Sequence, residues 1–195
     1  MKISYKNTTV KIAPNVYEPS EDSFMLADAA LSEIRESETV LEVGCGSGII
    51  SRVIKEHSKA SVIGIDINPH AVKTTKENGV EVIRGDLLHC LKGKFDMIIF
   101  NPPYLPTGEG ERTKDWMNTA LDGGYDGRRV IYSFLENAGD RLVEKGRILM
   151  VLSSLTGIEQ VKEMMESLGY TVTNKALERF SFEQLTVIVA TKMRS

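Results

Sequence analysis

The sequence predicts a doubly wound α/β fold: a mostly parallel seven-stranded sheet, helices on both faces, and an antiparallel hairpin at one edge. Three observations predict it. Short apolar runs alternate with segments of helical periodicity. A glycine-rich turn follows the first of these runs, and the last two runs are separated by only a few residues, a connection that antiparallel neighbours alone can use.

The elements follow in order. Pro19-Ser20-Glu21-Asp22 reads as a helix start, with Ser20 as N-cap and two acids in a first turn that favours negative charge. Phe24, Ala27, Leu31 and Ile34 then recur at helical spacing. Residues 39–43 form a short buried strand, followed by the glycine turn and a helix whose apolar stripe is Ile50, Val53 and Ile54. Residues 60–66 make a second strand ending in an acid. Asn68 caps the next helix with Pro69 at its first position, and Asn78-Gly79 closes it. A third strand spans 80–83, and a fourth, 95–100, is almost wholly apolar, as a strand covered on both faces must be.

Residues 101–127 carry prolines and paired glycines with no clean period, so they read as a long loop of the kind that carries function. A helix over 128–142, a strand over 147–152, a helix over 158–168 capped by Gly169, and strands over 171–180 and 184–192 complete the chain.

The 195 residues suit one domain. The expected division is a segment of 1–37, a lid over substrate and cofactor ending in the first helix, followed by a catalytic core of 38–195. Hydrophobic residues at 42% and charged residues at 26% exclude disordered and collagen-like classes. A net charge of -3 argues against a surface built to neutralise phosphates, so nucleic acid is not the expected substrate. Cys45 and Cys90 give neither a disulfide framework nor paired ligand spacing, and His57, His70 and His89 are scattered; no metal site is expected. The N-terminus lacks an apolar signal core, and no apolar run approaches the roughly 20 residues of a membrane span, which makes the cytoplasm the expected compartment.

In an open α/β sheet, ligands sit beyond the carboxyl ends of the strands. Glu42-Val43-Gly44-Cys45-Gly46-Ser47-Gly48 places a glycine at every second position there, which lets backbone approach a ligand while the next helix offers free N–H groups. A dinucleotide fingerprint would need glycine at position 49, where Ile49 stands. Asp66 ends the second strand, where a carboxylate can accept ribose hydroxyls or simply open a helix. Asp86 follows the third strand, where an acid can accept from an exocyclic amino group or serve a turn. Three acids at three successive strand ends fit an adenosine.

Asn101-Pro102-Pro103-Tyr104 leaves the fourth strand. Two prolines remove N–H donors and leave carbonyl acceptors, the Asn101 side chain adds another, and Tyr104 supplies a flat face. Such a site can hold an NH₂ group by both hydrogens. It thereby orients a delocalised nitrogen lone pair for methyl transfer.

The glycine turn, Asp66, Asp86 and Asn101 to Tyr104 resemble the class I methyltransferase pattern. The last motif is similar to that of amino- and amide-nitrogen methyltransferases. Val16-Tyr17-Glu18-Pro19-Ser20-Glu21-Asp22-Ser23 and Gly123-Gly124-Tyr125-Asp126-Gly127-Arg128 extend the likeness to the HemK-related protein glutamine methyltransferases, in their short archaeal and eukaryotic branch. The resemblance implies a Rossmann-like fold, S-adenosyl-L-methionine as cofactor, and methylation of the glutamine in the Gly-Gly-Gln motif of a class I peptide-chain release factor. It implies that Ser23, Glu42, Gly44, Gly46, Gly48, Asp66, Ile67, Asp86, Leu87 and Asn101 contact the cofactor, and that Asn101, Pro102, Pro103 and Tyr104 hold the glutamine. About forty residues precede the glycine turn. The resemblance therefore implies that the helical recognition domain of bacterial members is absent, and that a small zinc-binding activator subunit covers an apolar sheet edge.

Tyr17 and Glu18 either line the cofactor pocket or cap the first helix. Glu109, Glu111, Arg112, Lys114, Asp115 and Trp116 make the 105–122 loop charge-rich, either to reach the substrate or as a solvated loop. Other acceptors with the same hydrogen-bonding needs are lysine, adenine N6 and guanine N2. A non-catalytic cofactor-binding subunit would share the fold but have no use for the Asn101 to Tyr104 segment.

Overall fold

The computed structural model describes residues 1–108 and 115–193. Two short strands, β1 (Lys2–Tyr5) and β2 (Thr8–Lys11), form an antiparallel hairpin ahead of the first helix, α1 (Glu21–Glu33). Then come β3 (Thr39–Val43), α2 (Ile49–His57), β4 (Ser61–Asp66), α3 (Pro69–Glu77), β5 (Glu81–Arg84) and β6 (Phe95–Phe100). The second half holds the short α4 (Trp116–Thr119), α5 (Arg129–Ala138), β7 (Leu142–Ser153), α6 (Ile158–Ser167), β8 (Tyr170–Arg179) and β9 (Gln184–Lys192).

The main sheet runs β5-β4-β3-β6-β7-β9-β8. Its first five strands pair in parallel, and β9 pairs antiparallel with both β7 and β8. The closing hairpin thus enters the sheet with β9 inserted between β7 and β8, leaving β8 as the edge.

Alternation along the central strands divides the core. Ile98 and Phe100 of β6 and Ile148, Met150 and Leu152 of β7 pack beneath Ile131, Phe134 and Leu135 of α5 and Val161 and Met165 of α6. Their neighbours Met97, Ile99, Leu149 and Val151 point to the opposite face, against Leu26 and Ala30 of α1 and Val53 and Ile54 of α2. Burial on both faces is why these strands read as unbroken apolar runs.

Three features differ from the sequence reading. The helix expected over 128–142 is α5 followed by a 3₁₀ turn, Gly139–Arg141, and β7 begins at Leu142, earlier than expected. Ser20 occupies the N-cap position of α1, yet its hydroxyl donates to Asp22 rather than accepting from the helix backbone. The β1–β2 hairpin was not anticipated, because its turn, Lys6-Asn7, adopts positive φ at both residues without a glycine. That hairpin is bonded to the core: Tyr5 stacks on Phe24 with ring centroids 4.4 Å apart, and Lys11 exchanges two hydrogen bonds with Asn78 beyond α3. Ile12 and Val16 then pack on Ala71, which carries the chain across to the carboxyl ends of the strands.

Candidate active site

The direction of connection reverses between β3 and β6, and a ligand crevice belongs there. Val43 pairs with Phe100, so the glycine turn and the Asn101 segment leave the sheet side by side. Between them lies a cavity of about 620 Å³. It brings together Ser23, Glu42, Gly44, Gly46, Asp66, Ile67, Asp86, Leu87, Asn101, Pro102, Pro103 and Tyr104, with Tyr17 at its rim. Gly48 does not line it. Gly48 opens α2 at φ +76, and a Cβ there would stand 2.9 Å from Thr75 Cγ2, so its role is close packing on α3.

The turn after β3 is held by the strands beneath it. Gly44 and Cys45 donate N–H groups to the Ile65 carbonyl, at 2.8 and 3.2 Å. Asp66 accepts from Gly46 N and Asn68 N, each at 2.8 Å. Burial raises the Asp66 carboxyl above its ordinary value, against the pull of these backbone donors. The carboxylate thus shapes the turn as well as facing the cavity. Gly46 has φ +55 with nothing within 4 Å of where a Cβ would be. This is open space against backbone, as a closely approaching ligand needs.

Glu42 lies at the floor. Ser51 at the start of α2 donates to it through both its hydroxyl and its N–H, the latter at 2.9 Å. Burial nevertheless pushes the Glu42 carboxyl up to about 8, with the Asp66 charge adding to the rise. Ser47 Oγ is buried there with no partner among the described residues. Asp86 is exposed at the far rim, beside Leu87 at φ +46.

The acceptor side is organised by a residue that sequence reasoning treated only as a helix-dipole acid. Asp22 is 2% exposed. Its Oδ2 accepts from Asn101 Nδ2 at 3.0 Å and Tyr17 Oη at 3.1 Å, with Tyr104 Oη at the 3.5 Å limit. Its Oδ1 accepts from the hydroxyls of Ser20 and Ser23. Neutral donors therefore satisfy the buried carboxylate. Because the Asn101 amide NH₂ is committed to Asp22, its carbonyl oxygen is the end left to accept from a ligand. Burial, reinforced by the charges of Asp22 and Glu183, lifts the Tyr104 hydroxyl well above the ordinary tyrosine value. Tyr17 is pushed up to about 12 by burial and the Asp22 charge. Both remain phenols at neutral pH.

Residues 105–107 and 121–127 brace this segment. Leu105 N donates to Leu121 O and Gly123 N to Leu105 O, both at 3.0 Å, and Thr107 N donates to Gly124 O at 2.9 Å. Gly127, at φ +74, backs onto Tyr104: a Cβ there would stand 2.6 Å from the Tyr104 carbonyl oxygen. Arg128 anchors the far side through the Thr156 carbonyl at 2.6 Å. Asp115 caps α4 by accepting from Asn118 N, and Trp116 reaches the cavity; Glu109, Glu111, Arg112 and Lys114 lie outside the described residues.

Residues 9–182 match the family model of the methyltransferase small domain. The chain belongs to that family. It is 38% identical, over 99% of its length and 100% of the relative's, to a Methanocaldococcus jannaschii protein provisionally named a protein N5-glutamine methyltransferase. It is 34% identical to methyltransferase HEMK2 of Mus musculus, over 89% of this chain and 88% of that one. Among solved structures, the E. cuniculi Mtq2–Trm112 complex, described as responsible for methylating the eRF1 translation termination factor, superposes with a TM-score of 0.76. The identity is 28%, covering 91% of this chain and 99% of that one. The doubly wound sheet is thus the Rossmann-like fold of a methyltransferase domain. Among the described residues, no group of three or more His, Cys, Asp or Glu is placed to hold a metal, and no helix is long and apolar enough to cross a membrane.

Proposed function

We propose that this methyltransferase domain transfers a methyl group from S-adenosyl-L-methionine to the side-chain amide nitrogen of the glutamine in the Gly-Gly-Gln motif of a class I peptide-chain release factor. The observation that carries the reading is the Asn101–Asp22 hydrogen bond, which leaves a carbonyl acceptor beside the glycine turn. The names of the M. jannaschii relative and of the E. cuniculi complex support the same acceptor and the same class of substrate protein.

The residues present fit the cofactor. Gly46 offers bare backbone beside open space, Ser47 Oγ is a buried hydroxyl without a partner among the described residues, and Asp66 and Asp86 face the cavity as acceptors for ribose and for an adenine amino group. Ser23, Glu42, Gly44, Ile67 and Leu87 complete the holding set, and Gly48 contributes by seating α2. When bound, S-adenosyl-L-methionine supplies an electrophilic methyl group on a positively charged sulfur.

The work of this chain is on the acceptor. An amide nitrogen is a poor nucleophile because its lone pair is shared with the carbonyl. Asn101 Oδ1 and the Pro102 carbonyl accept the two amide hydrogens, which directs the lone pair and concentrates charge on nitrogen. Pro103 stiffens the segment, and Tyr104 gives the planar amide a face to lie against. Tyr104 and Tyr17 stay protonated, so neither takes the proton; once the new C–N bond forms, that proton becomes acidic and leaves to solvent.

A partner subunit, of the small zinc-binding activator kind that the family resemblance implies, is part of the proposal; the similar E. cuniculi structure is a complex with a second protein, Trm112. The four-residue edge strand β5 is the docking edge for that partner subunit, with Ile83 exposed on it. Action on a release factor places the enzyme in the cytoplasm. The lid role of 1–37 over the 38–195 core rests on Tyr17 and Asp22, which close one wall of the cavity. The proposal is tested by incubating the chain with a release factor and cofactor and locating the methyl group by tandem mass spectrometry. It is expected on the amide nitrogen of the Gly-Gly-Gln glutamine; methyl on a lysine would overturn the reading.

A further inference from the structure

The turn joining β8 to β9 stands at the carboxyl end of β7, on the same rim as the acceptor segment. It is tied there from both sides. Ser153 Oγ donates to Glu183 Oε2 at 2.8 Å, and Gln184 N donates to Ser154 Oγ at 3.0 Å. The turn closes on itself through Phe180 N to Glu183 O at 2.8 Å. Glu183 is near enough to Tyr104 for its charge to act on that hydroxyl.

The turn is also apolar where solvent should favour polar residues. Phe182 is 95% exposed, Phe180 is 40% exposed, and Leu155, on the adjoining 3₁₀ turn, is 45% exposed. Clustered exposed aromatics of this kind mark contact surfaces, and aromatic anchors carry much of the energy of protein interfaces. The turn and the end of β8 carry Glu178 and Glu183 against Arg179, with Glu183 held at the rim by Ser153, while Arg128 beside Thr156 is paired with Asp126. A cationic polypeptide segment complements that rim.

We infer that Phe180, Phe182 and Leu155 form the docking surface for the substrate protein, gripping a basic segment that flanks its acceptor glutamine. The inference rests on the proposed glutamine activity and adds where the folded substrate is held. A docking contact outside the cavity contributes to capture and not to methyl transfer itself, so its loss appears in KM and not in kcat.

The test uses the full chain in two forms. In the first, Phe180→Ser and Phe182→Ser are combined, and steady-state methylation of a purified release factor is compared with wild type. KM is expected to rise at least about tenfold with kcat within about twofold, as loss of an aromatic anchor pair predicts. Cofactor affinity by calorimetry is expected to stay unchanged, which excludes misfolding. In the second, Phe182 is replaced by the photo-crosslinker p-benzoylphenylalanine, and the crosslinked release-factor peptide is expected within a few residues of Gly-Gly-Gln. Wild-type methylation with an unchanged KM in the double variant, or crosslinks far from that motif, would overturn the docking surface and leave the glutamine reading intact. A wild-type chain that neither methylates nor crosslinks to the release factor would remove both.

Discussion

Asn101 Nδ2 lies 3.0 Å from Asp22 Oδ2, and this bond joins the first turn of α1 to the end of β6 across 79 residues of sequence. It fixes which end of the Asn101 amide faces the cavity. Asp22→Asn weakens that choice, since the new amide can pair with either end of Asn101. Turnover is expected to fall about 100-fold, the scale of loss that misorientation causes. The cofactor dissociation constant, measured by calorimetry, is expected to move less than about threefold. Unchanged kcat in this variant would contradict an orienting role.

Gly127 and Gly46 both hold left-handed backbone, yet their alanine variants should fail differently. At Gly127 a Cβ meets Tyr104 O at 2.6 Å and Thr156 Cγ2 at 2.8 Å, so Gly127→Ala should cost about 2 kcal/mol of stability and displace Tyr104. Its kcat falls. At Gly46 a Cβ meets nothing within 4 Å, so the fold should lose only about 1 kcal/mol while cofactor affinity falls. Thermal melts and calorimetry on the pair check the contrast.

Glu42 gives a pH signature. Its folded-state value of about 8 lies above the ordinary 4.5, so the folded protein favours the protonated form. Relative to Glu42→Gln, wild-type stability is therefore greatest below pH 4.5 and is lost as pH rises through about 8. The Tm advantage of Glu42→Gln should grow between pH 6 and pH 9. An advantage independent of pH would show that Glu42 is already ionised at pH 6.

Arg147 is buried and forked onto Glu38, with Nη1 to Oε1 at 2.8 Å and Nη2 to Oε2 at 2.7 Å. Burial alone would raise the Glu38 carboxyl, but the Arg147 hydrogen bonds and charge and the Arg35 N–H hold it below its ordinary value of 4.5. The stabilisation is present above pH 4.5 and is lost as pH falls through the lower folded-state value. Glu38→Gln removes the carboxylate closest to Arg147, leaving the Glu33 carboxylate at 3.9 Å, and should cost about 3 kcal/mol at pH 7. Urea titrations at pH 7 and pH 3.5 should show the difference narrowing in acid.

The parts of this fold that were legible share one cause. Residues 95–100 and 147–152 read as strands because both faces are covered, and Asn68-Pro69 read as a helix start because Asn68 does accept from His70 N. The glycine turn and Asn101 were legible because chemistry dictates them locally. Asp22 was not: its partners Tyr17, Ser20, Ser23 and Asn101 meet only after α1 folds over the sheet, and in sequence it is one of two acids opening a helix. The role of Gly127 behind Tyr104 was hidden for the same reason. The β8–β9 pairing was evident from its short connection, but the insertion of β9 beside β7 rests on its long-range antiparallel pairing with that strand.

The most direct test of the account is radiolabelled methyl transfer from S-adenosyl-L-methionine to a purified release factor, beside its Gln→Ala variant at Gly-Gly-Gln, by wild-type chain and by Asn101→Ala, each with and without a zinc-binding partner subunit. The account predicts label on the unaltered factor by the wild-type chain and none in the other pairings, although Asn101→Ala still binds cofactor. Equal labelling of the Gln→Ala factor, or full activity in Asn101→Ala, would contradict it.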